Sequence, residues 1–271
     1  MKKIYNILFL VLVLTSCDKT QNDALDQNDS LVQNDSIDSD IQDKIENLIL
    51  IGTESKTDRD GYDTVFDFVN LIYDSNNNLK NYNLEIPKQI NTSIDFEYSG
   101  NNLIQFGDYS VEYGENQITL NSADRREEYF LDNDKIVLYK WYQFDNEISE
   151  FELFVSNEFT YGEDFKNVIR IDEFDSNGEL IRYATFEYDN NLNPYKNLDG
   201  VLNIHPFLNL DILKLNSENN VVRSETFRKF NSEFITSTTN ITYTYNDQNY
   251  PTNLELVQAG FSIERNFIYQ E

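Results

Sequence analysis

The stretch that decides the fold is Ile169–Asn191, with the sequence IRIDEFDSNGELIRYATFEYDNN. Two turn signals of one type frame it, Asp-Ser-Asn-Gly at 175–178 and Asp-Asn-Asn at 189–191. Such residues tolerate the positive φ of tight hairpin turns best. Between the turns, residues 179–188 alternate and are rich in the aromatic and β-branched types that favour strands. The stretch therefore predicts one β-hairpin unit.

The same unit recurs with variation along the chain. Alternating segments flank further turn signals at 74–78, 99–102, 114–116, 145–147, 216–220 and 246–251. Because the spacing between turns is irregular, a strict solenoid is not predicted. We expect an all-β fold in which an antiparallel meander of repeated hairpins forms one large twisted sheet. Segments that could serve as helical crossovers are missing between the strands, which disfavours parallel βαβ winding.

The predicted sheet has one apolar face, with Tyr, Phe, Ile and Leu, and one polar face, with Lys, Glu and Asn. The apolar face needs a cover. An open sheet and a closed barrel are both compatible with the pattern, and we favour a sheet that curls onto itself. Residues 194–212 break the alternation and space their apolar residues almost as a helix does. They predict one short helical or irregular insert that packs on the sheet as filler.

Two segments carry a resemblance to a known family. Residues 186–195, FEYDNNLNPY, and 243–252, YTYNDQNYPT, resemble the Tyr-Asp-x-x-Gly/Asn-x-Pro hairpins of Bacteroidetes lipoproteins with a YD-repeat-like domain of unassigned function. The resemblance covers about residues 60–271, although Asn stands here in most places where YD repeats have Gly. It implies an antiparallel meander and supplies no catalytic residues.

The N-terminus predicts export and a lipid anchor. Two lysines precede a short apolar run and the sequence Leu-Thr-Ser-Cys at 14–17, which is typical of a secretory signal and resembles a lipobox. We therefore expect residues 1–16 to be a lipoprotein signal peptide and Cys17 to be lipidated. The alternative is an ordinary signal peptide with an incidental cysteine, but Cys17 is the only cysteine and lies where a lipobox requires it. More than one acyl chain on Cys17 gives stable anchoring to the membrane.

Residues 17–47 predict a lipidated cysteine followed by an acidic, disordered tether. Gln-Asn-Asp recurs at 21–23, 27–29 and 33–35, and so polar a segment cannot bury enough apolar area to order itself. An amphipathic helix or a calcium-binding repeat is the alternative. Residues 48–271 are predicted to form the β-hairpin repeat domain. Within it Asp58–Asp63 begins like a calcium loop but lacks EF-hand spacing, so we interpret it as an exposed turn.

Composition limits the partners. The chain has 48 acidic against 21 basic residues and a net charge of −27, which argues against nucleic acid and against anionic lipid surfaces. With one cysteine, no disulfide forms within the chain. One histidine, His205, predicts neither a catalytic site nor zinc. No cofactor or metal is expected.

The exposed-aromatic candidates are Tyr139, Trp141 and Tyr142, which suit sugar stacking; ordinary cross-strand packing is the alternative. We expect a non-catalytic binding module of the bacterial cell envelope that is lipid-anchored in the outer membrane and binds a glycan or an envelope protein. Surface exposure is left open. A polysaccharide-acting hydrolase and a purely structural spacer are the alternatives. Since the chain has 48 acids, sequence alone cannot select a catalytic pair of carboxylates.

Overall fold

The structure is a computed structural model that describes residues 48–87, 90–100, 102–195, 217–230 and 233–270. These residues form sixteen strands. In chain order the strands are β1 (Leu50–Arg59), β2 (Val65–Tyr73), β3 (Leu79–Ile86), β4 (Ile90–Ser99), β5 (Asn102–Phe106), β6 (Tyr109–Tyr113), β7 (Gln117–Asn121), β8 (Arg125–Asp132), β9 (Lys135–Asp145), β10 (Glu150–Tyr161), β11 (Val168–Asp175), β12 (Leu180–Leu192), β13 (Asn219–Phe230), β14 (Glu233–Tyr245), β15 (Pro251–Gln258) and β16 (Phe261–Tyr269). Among the described residues no helix has the length and apolar character of a membrane span.

The strands close into a barrel in which each strand pairs antiparallel with its neighbours in sequence and β1 pairs with β16. The predicted all-β meander is therefore confirmed, and closure is the way in which the sheet covers its apolar face. The pairing of β1 with β2 requires a glycine. A Cβ on Gly52 would lie 2.5 Å from the Val69 carbonyl oxygen, a distance that no side chain accommodates without moving backbone.

The strand pleat gives the barrel two different faces. Inward positions carry the core, since successive side chains point to opposite faces of a strand. Leu103, Leu120 and Leu254 are fully buried there. Outward positions are polar along β4, at Asn91, Ser93, Asp95, Glu97 and Ser99, and along β14 from residue 236 on, at Thr236, Thr238, Asn240, Thr242 and Thr244. The alternation predicted from the sequence is thus the division between interior and exterior.

Three of the hairpin turns have the same construction. The side-chain oxygens of Asp74, Asp175 and Asn246 each accept hydrogen bonds from the backbone N–H groups two and four residues on, at 2.7–3.0 Å. The residue three positions on has a positive φ in every case: 63° at Asn77, 79° at Gly178 and 61° at Asn249. The turn therefore needs Asp or Asn first and Asn or Gly fourth, and this requirement produces the repeated sequence signal.

One end of the barrel is fixed by tyrosines. Five tyrosines near the ends of even-numbered strands donate their hydroxyls to carbonyl oxygens near the start of the preceding strand, at 2.5–3.1 Å. The pairs are Tyr73 to Leu50, Tyr161 to Ile136, Tyr188 to Val168, Tyr243 to Val221 and Tyr269 to Pro251. We call this the tyrosine end. Each bond contributes about 0.5–1.5 kcal/mol, so the set holds neighbouring strands in register.

One predicted turn is wrong. Residues 189–191 belong to β12, which continues to Leu192. Asp189 accepts hydrogen bonds from the hydroxyl of Tyr245 and, at 3.2 Å, from the backbone N–H of Asn220. These contacts with two other strands fix its position, and no hairpin turn forms.

The insert predicted at 194–212, with His205, lies outside the described residues except for Pro194 and Tyr195, which form a turn. Residues 1–47, including Cys17, also lie outside them.

Candidate binding site at the arginine end

Arginines are concentrated on the inner face at the other end of the barrel. Arg59, Arg125, Arg182 and Arg228 take inward positions there, and Arg265 lies inward at mid-strand. These are five of the eight arginines in the chain. We call this the arginine end. In a protein with a net charge of −27 this inward placement separates the guanidinium groups from the acidic exterior.

A buried carboxylate lies within this region. Glu127 has no solvent access, and it accepts the Tyr129 hydroxyl at 2.6 Å. The guanidinium nitrogen Nη1 of Arg125 lies 3.6 Å from the Glu127 carboxylate oxygen Oε1. Burial, and then the charge of Glu127, raise the pKa of the Tyr129 and Tyr139 hydroxyls well above the ordinary tyrosine value. Both tyrosines therefore stay neutral and can donate hydrogen bonds at physiological pH.

Trp141 and Phe154 form an aromatic pair between this cluster and solvent. The guanidinium of Arg125 covers one side of Trp141, 4.2 Å from the ring centroid. The ring of Phe154 packs on Trp141 at a centroid distance of 4.6 Å and remains 53% exposed. A register shift between Leu153 and Val155 places Phe154 in this position. The result is a fixed aromatic surface beside a cation, which can stack against a sugar ring or an apolar group.

The structure does not bring the three predicted aromatics together. Tyr139 and Trp141 point inward, where Tyr139 is only 7% exposed. Tyr142 points outward, and its hydroxyl donates to Glu128 at 3.0 Å. Burial and this hydrogen bond raise the pKa of Tyr142 to about 12. Adjacent positions in a strand face opposite sides, so Trp141 and Tyr142 cannot contact the same ligand from one face.

Two members of the aromatic surface escaped sequence reasoning. Phe154 lies in an alternating segment whose period gives no sign of a bulge. Arg125 lies sixteen residues before Trp141 in sequence and reaches it only because β8 and β9 pair. The one signal available was the turn at 145–147, which predicts that β9 and β10 face each other.

Charged side chains continue the inner face beyond the aromatic pair. Arg182 forms an ion pair with Glu173 across β11 and β12. Arg228 lies directly opposite Arg182 on β13 and is exposed. In the described part of the chain no group of three or more His, Cys, Asp or Glu side chains is arranged to hold a metal ion.

Comparison with known proteins yields similarity in structure only. The sequence matches no family model and no curated protein. A porin-like protein from Bacteroides uniformis is 14% identical with a TM-score of 0.42, over 82% of this chain and 98% of that one. A porin-like protein from Bacteroides vulgatus is 12% identical with a TM-score of 0.41, over 83% and 99%. A LolA superfamily protein from Nitrosomonas europaea is 9% identical, with a TM-score of 0.22 over 86% and 91%. At this level of similarity none of them indicates what this chain binds.

Proposed function

We propose that the protein is a non-catalytic binding module of the bacterial cell envelope, anchored by lipid on Cys17, whose barrel binds a glycan at the arginine end. The observation that carries the binding role is the surface formed by Trp141 and Phe154. Phe154 is 53% exposed while its ring is held against Trp141, so a rigid aromatic surface is open to a partner. An envelope protein is the alternative partner.

The faces of the barrel support a position in water. A membrane-spanning barrel presents an apolar band to lipid and polar residues to its lumen. Here the outward positions of β4, and those of β14 from Thr236 to Thr244, are polar, and the core faces inward. Exposed apolar residues on the outward face include Phe66, Phe68 and Ile72 on β2 and single residues on other strands, namely Ile104 on β5, Val257 on β15 and Ile268 on β16. We infer that the barrel stands outside the hydrocarbon layer and that the membrane contact is made by the lipid on Cys17.

The buried carboxylate favours binding over hydrolysis. A glycosidase acid must reach the glycosidic oxygen and keep its proton near neutral pH. Glu127 is fully buried, so it does not reach the glycosidic oxygen of a bound sugar. It contacts Arg125 and accepts the Tyr129 hydroxyl. Its role in this geometry is to hold Arg125 and the tyrosines under the aromatic surface.

The binding role is tested with full-length protein in detergent and a panel of neutral and acidic oligosaccharides. A ligand that binds only the folded state raises the melting temperature. We expect one sugar class to do so, and Phe154→Ala to abolish the shift. Phe66→Ala, which removes an outward aromatic of similar exposure, is the matched control. If no sugar shifts the melting temperature, or if both variants behave alike, the glycan-binding role is wrong.

The anchor is tested separately by labelling cells with a palmitate analogue. The wild-type protein should incorporate the label and fractionate with membranes. Cys17→Ala should lose both properties, and the barrel should remain folded because it does not include residue 17. Label in the Cys17→Ala variant, or membrane fractionation without label, would contradict lipidation at this cysteine.

A further inference from the structure

A continuous row of inward residues crosses eight neighbouring strands of the barrel. Each member is paired in register with the next, from β7 to β14. The row consists of Ile118, Tyr129, Tyr139, Asn157, Glu173, Arg182, Arg228 and Ile235. Six consecutive polar groups therefore lie side by side on the inner wall, between an apolar residue at each end.

The row changes from buried to open along its length. Tyr129 is 0% exposed and Tyr139 is 7% exposed, Asn157 and Glu173 are half-buried, and Arg182 and Arg228 are exposed. A ligand that enters from solvent consequently meets the two arginines first. The next polar groups along the row are those of Glu173 and Asn157.

The two arginines place like charges directly opposite each other, and only one of them has an anionic partner among the described residues. Like charges directly opposite on neighbouring strands destabilise a sheet. Arg182 has Glu173 as a partner, whereas Arg228 makes no hydrogen bond or ion pair with any residue in the described ranges. Each planar guanidinium has five N–H donors. Two guanidinium groups can therefore hydrogen-bond to a carboxylate or sulfate that lies between them.

A second polar group on the row also has no hydrogen-bond partner among the described residues. The side-chain oxygen of Asn157 is buried and accepts no hydrogen bond from the described residues. Buried acceptors in folded proteins are nearly always satisfied. Asn157 lies between Tyr139 and Glu173, two strands from Arg182, so the row contains a hydrogen-bond acceptor without a described donor close to the arginines.

We propose that this row binds an acidic saccharide. The carboxylate or sulfate lies between Arg182 and Arg228, and the rest of the chain runs toward Trp141 and Phe154. The inference rests on the proposed glycan-binding role and adds the charge and orientation of the ligand. Three strand spacings separate β9 from β12, which is about 15 Å at about 4.8 Å per strand. The ligand is accordingly an oligosaccharide, since a single sugar cannot reach both places.

The test is calorimetric titration of full-length protein in detergent, at constant ionic strength, with trigalacturonate and with its neutral methyl ester. We expect trigalacturonate to bind about tenfold or more tightly than the ester, which is the loss expected for one charge-assisted contact. A sulfated neutral trisaccharide then shows whether carboxylate or sulfate is preferred. Equal affinity for the acid and the ester would overturn the inference.

Variants separate this inference from the wider proposal. Arg228→Gln should weaken trigalacturonate about tenfold and leave the methyl ester unchanged. Arg228→Lys should restore only part of the lost affinity, because lysine keeps the charge but not the planar set of N–H donors. Arg223→Gln, on the same strand but outward and paired with Glu187 and Glu225, should have no effect. If Phe154→Ala abolishes binding and Arg228→Gln leaves it unchanged, the inference of an acidic ligand is wrong and the glycan-binding role still holds. Failure of trigalacturonate and the sulfated sugar to bind at all would overturn the inference outright.

Discussion

The tyrosine end and the arginine end belong to the same sixteen strands and the same pleat, yet their inward residues differ in kind. At the tyrosine end apolar and tyrosine side chains fill the interior, and hydroxyls join one strand to the next. At the arginine end charged groups and a half-exposed aromatic pair face the interior on β8 to β13, while Phe106, Tyr109 and Leu120 on β5 to β7 are buried. The difference teaches that alternation alone builds the barrel, while the identity of the inward residues decides where tyrosine hydroxyls join the strands and where charged groups face the interior.

The largest expected difference between the ends is in stability. Leu254→Ala should lower the free energy of unfolding by about 2–5 kcal/mol, because Leu254 is fully buried and its removal leaves a cavity. Ile235→Ala, inward at the arginine end but 47% exposed, should lower it by about 1 kcal/mol or less. Urea denaturation measures both changes. Equal losses would mean that the arginine end is as well packed as the tyrosine end.

A smaller effect is expected for one hydroxyl of the tyrosine end. Tyr161→Phe removes the 3.0 Å hydrogen bond to the Ile136 carbonyl and should cost about 1 kcal/mol. Tyr62→Phe is the control, since Tyr62 is 69% exposed and its ring lies over Arg59. Hydrogen exchange at the β9–β10 pairing should speed up in Tyr161→Phe alone. Unchanged exchange would show that the hydroxyls do not fix the strands.

The Asp-first turns should behave alike at both ends. Backbone hydrogen bonds, first from Asn78 and from Glu179 respectively, lower the pKa of Asp74 and of Asp175. The ionised carboxylate therefore stabilises the fold fully above the ordinary aspartate pKa of about 3.9, and this stabilisation is lost as the pH falls through the lowered folded-state pKa. Asp175→Asn keeps the acceptor, as Asn246 shows, and should reduce the loss of stability between about pH 6 and about pH 2.5. The matched Asp74→Asn variant should do the same. An acid loss that neither variant changes would place the pH dependence elsewhere.

The smallest effect is expected at the open arginine pair without ligand. Arg228→Gln should leave the stability unchanged or raise it by up to about 0.5 kcal/mol, because it removes a like charge opposite Arg182. Thermal melts at low and high salt measure this, and the difference from wild type should shrink in salt. A clear loss of stability in Arg228→Gln would indicate that Arg228 supports the fold, and would weaken its assignment to ligand binding.

Much of the fold could be predicted from the sequence because the signals for its turns and strands are local. The Asp-Ser-Asn-Gly turn at 175–178 and the alternation in 179–188 each depend on a few neighbouring residues, and both are confirmed. The turn predicted at 189–191 was wrong because Asp189 is fixed by Tyr245 and Asn220, which are distant in sequence. Asp-Asn-Asn has the right composition for a turn, but contacts across strands decided its conformation.

The candidate site was predictable only in part for the same reason. Trp141 was identified as an aromatic candidate, but Tyr142 could not join it, since neighbours on a strand face opposite sides. Phe154 takes its place through a bulge, and Arg125 reaches Trp141 through the pairing of β8 with β9. No local pattern encodes a bulge or an inter-strand register.

By itself the sequence determined that the chain folds as alternating antiparallel strands with Asp- or Asn-led turns, because turn chemistry and the two-residue period act over a few residues. Only the tertiary structure decided that β1 meets β16, that five of eight arginines point inward, and that Arg182 and Arg228 lie opposite each other. Those outcomes depend on the register of strands far apart in the chain. That register is set by the closure of the whole sheet.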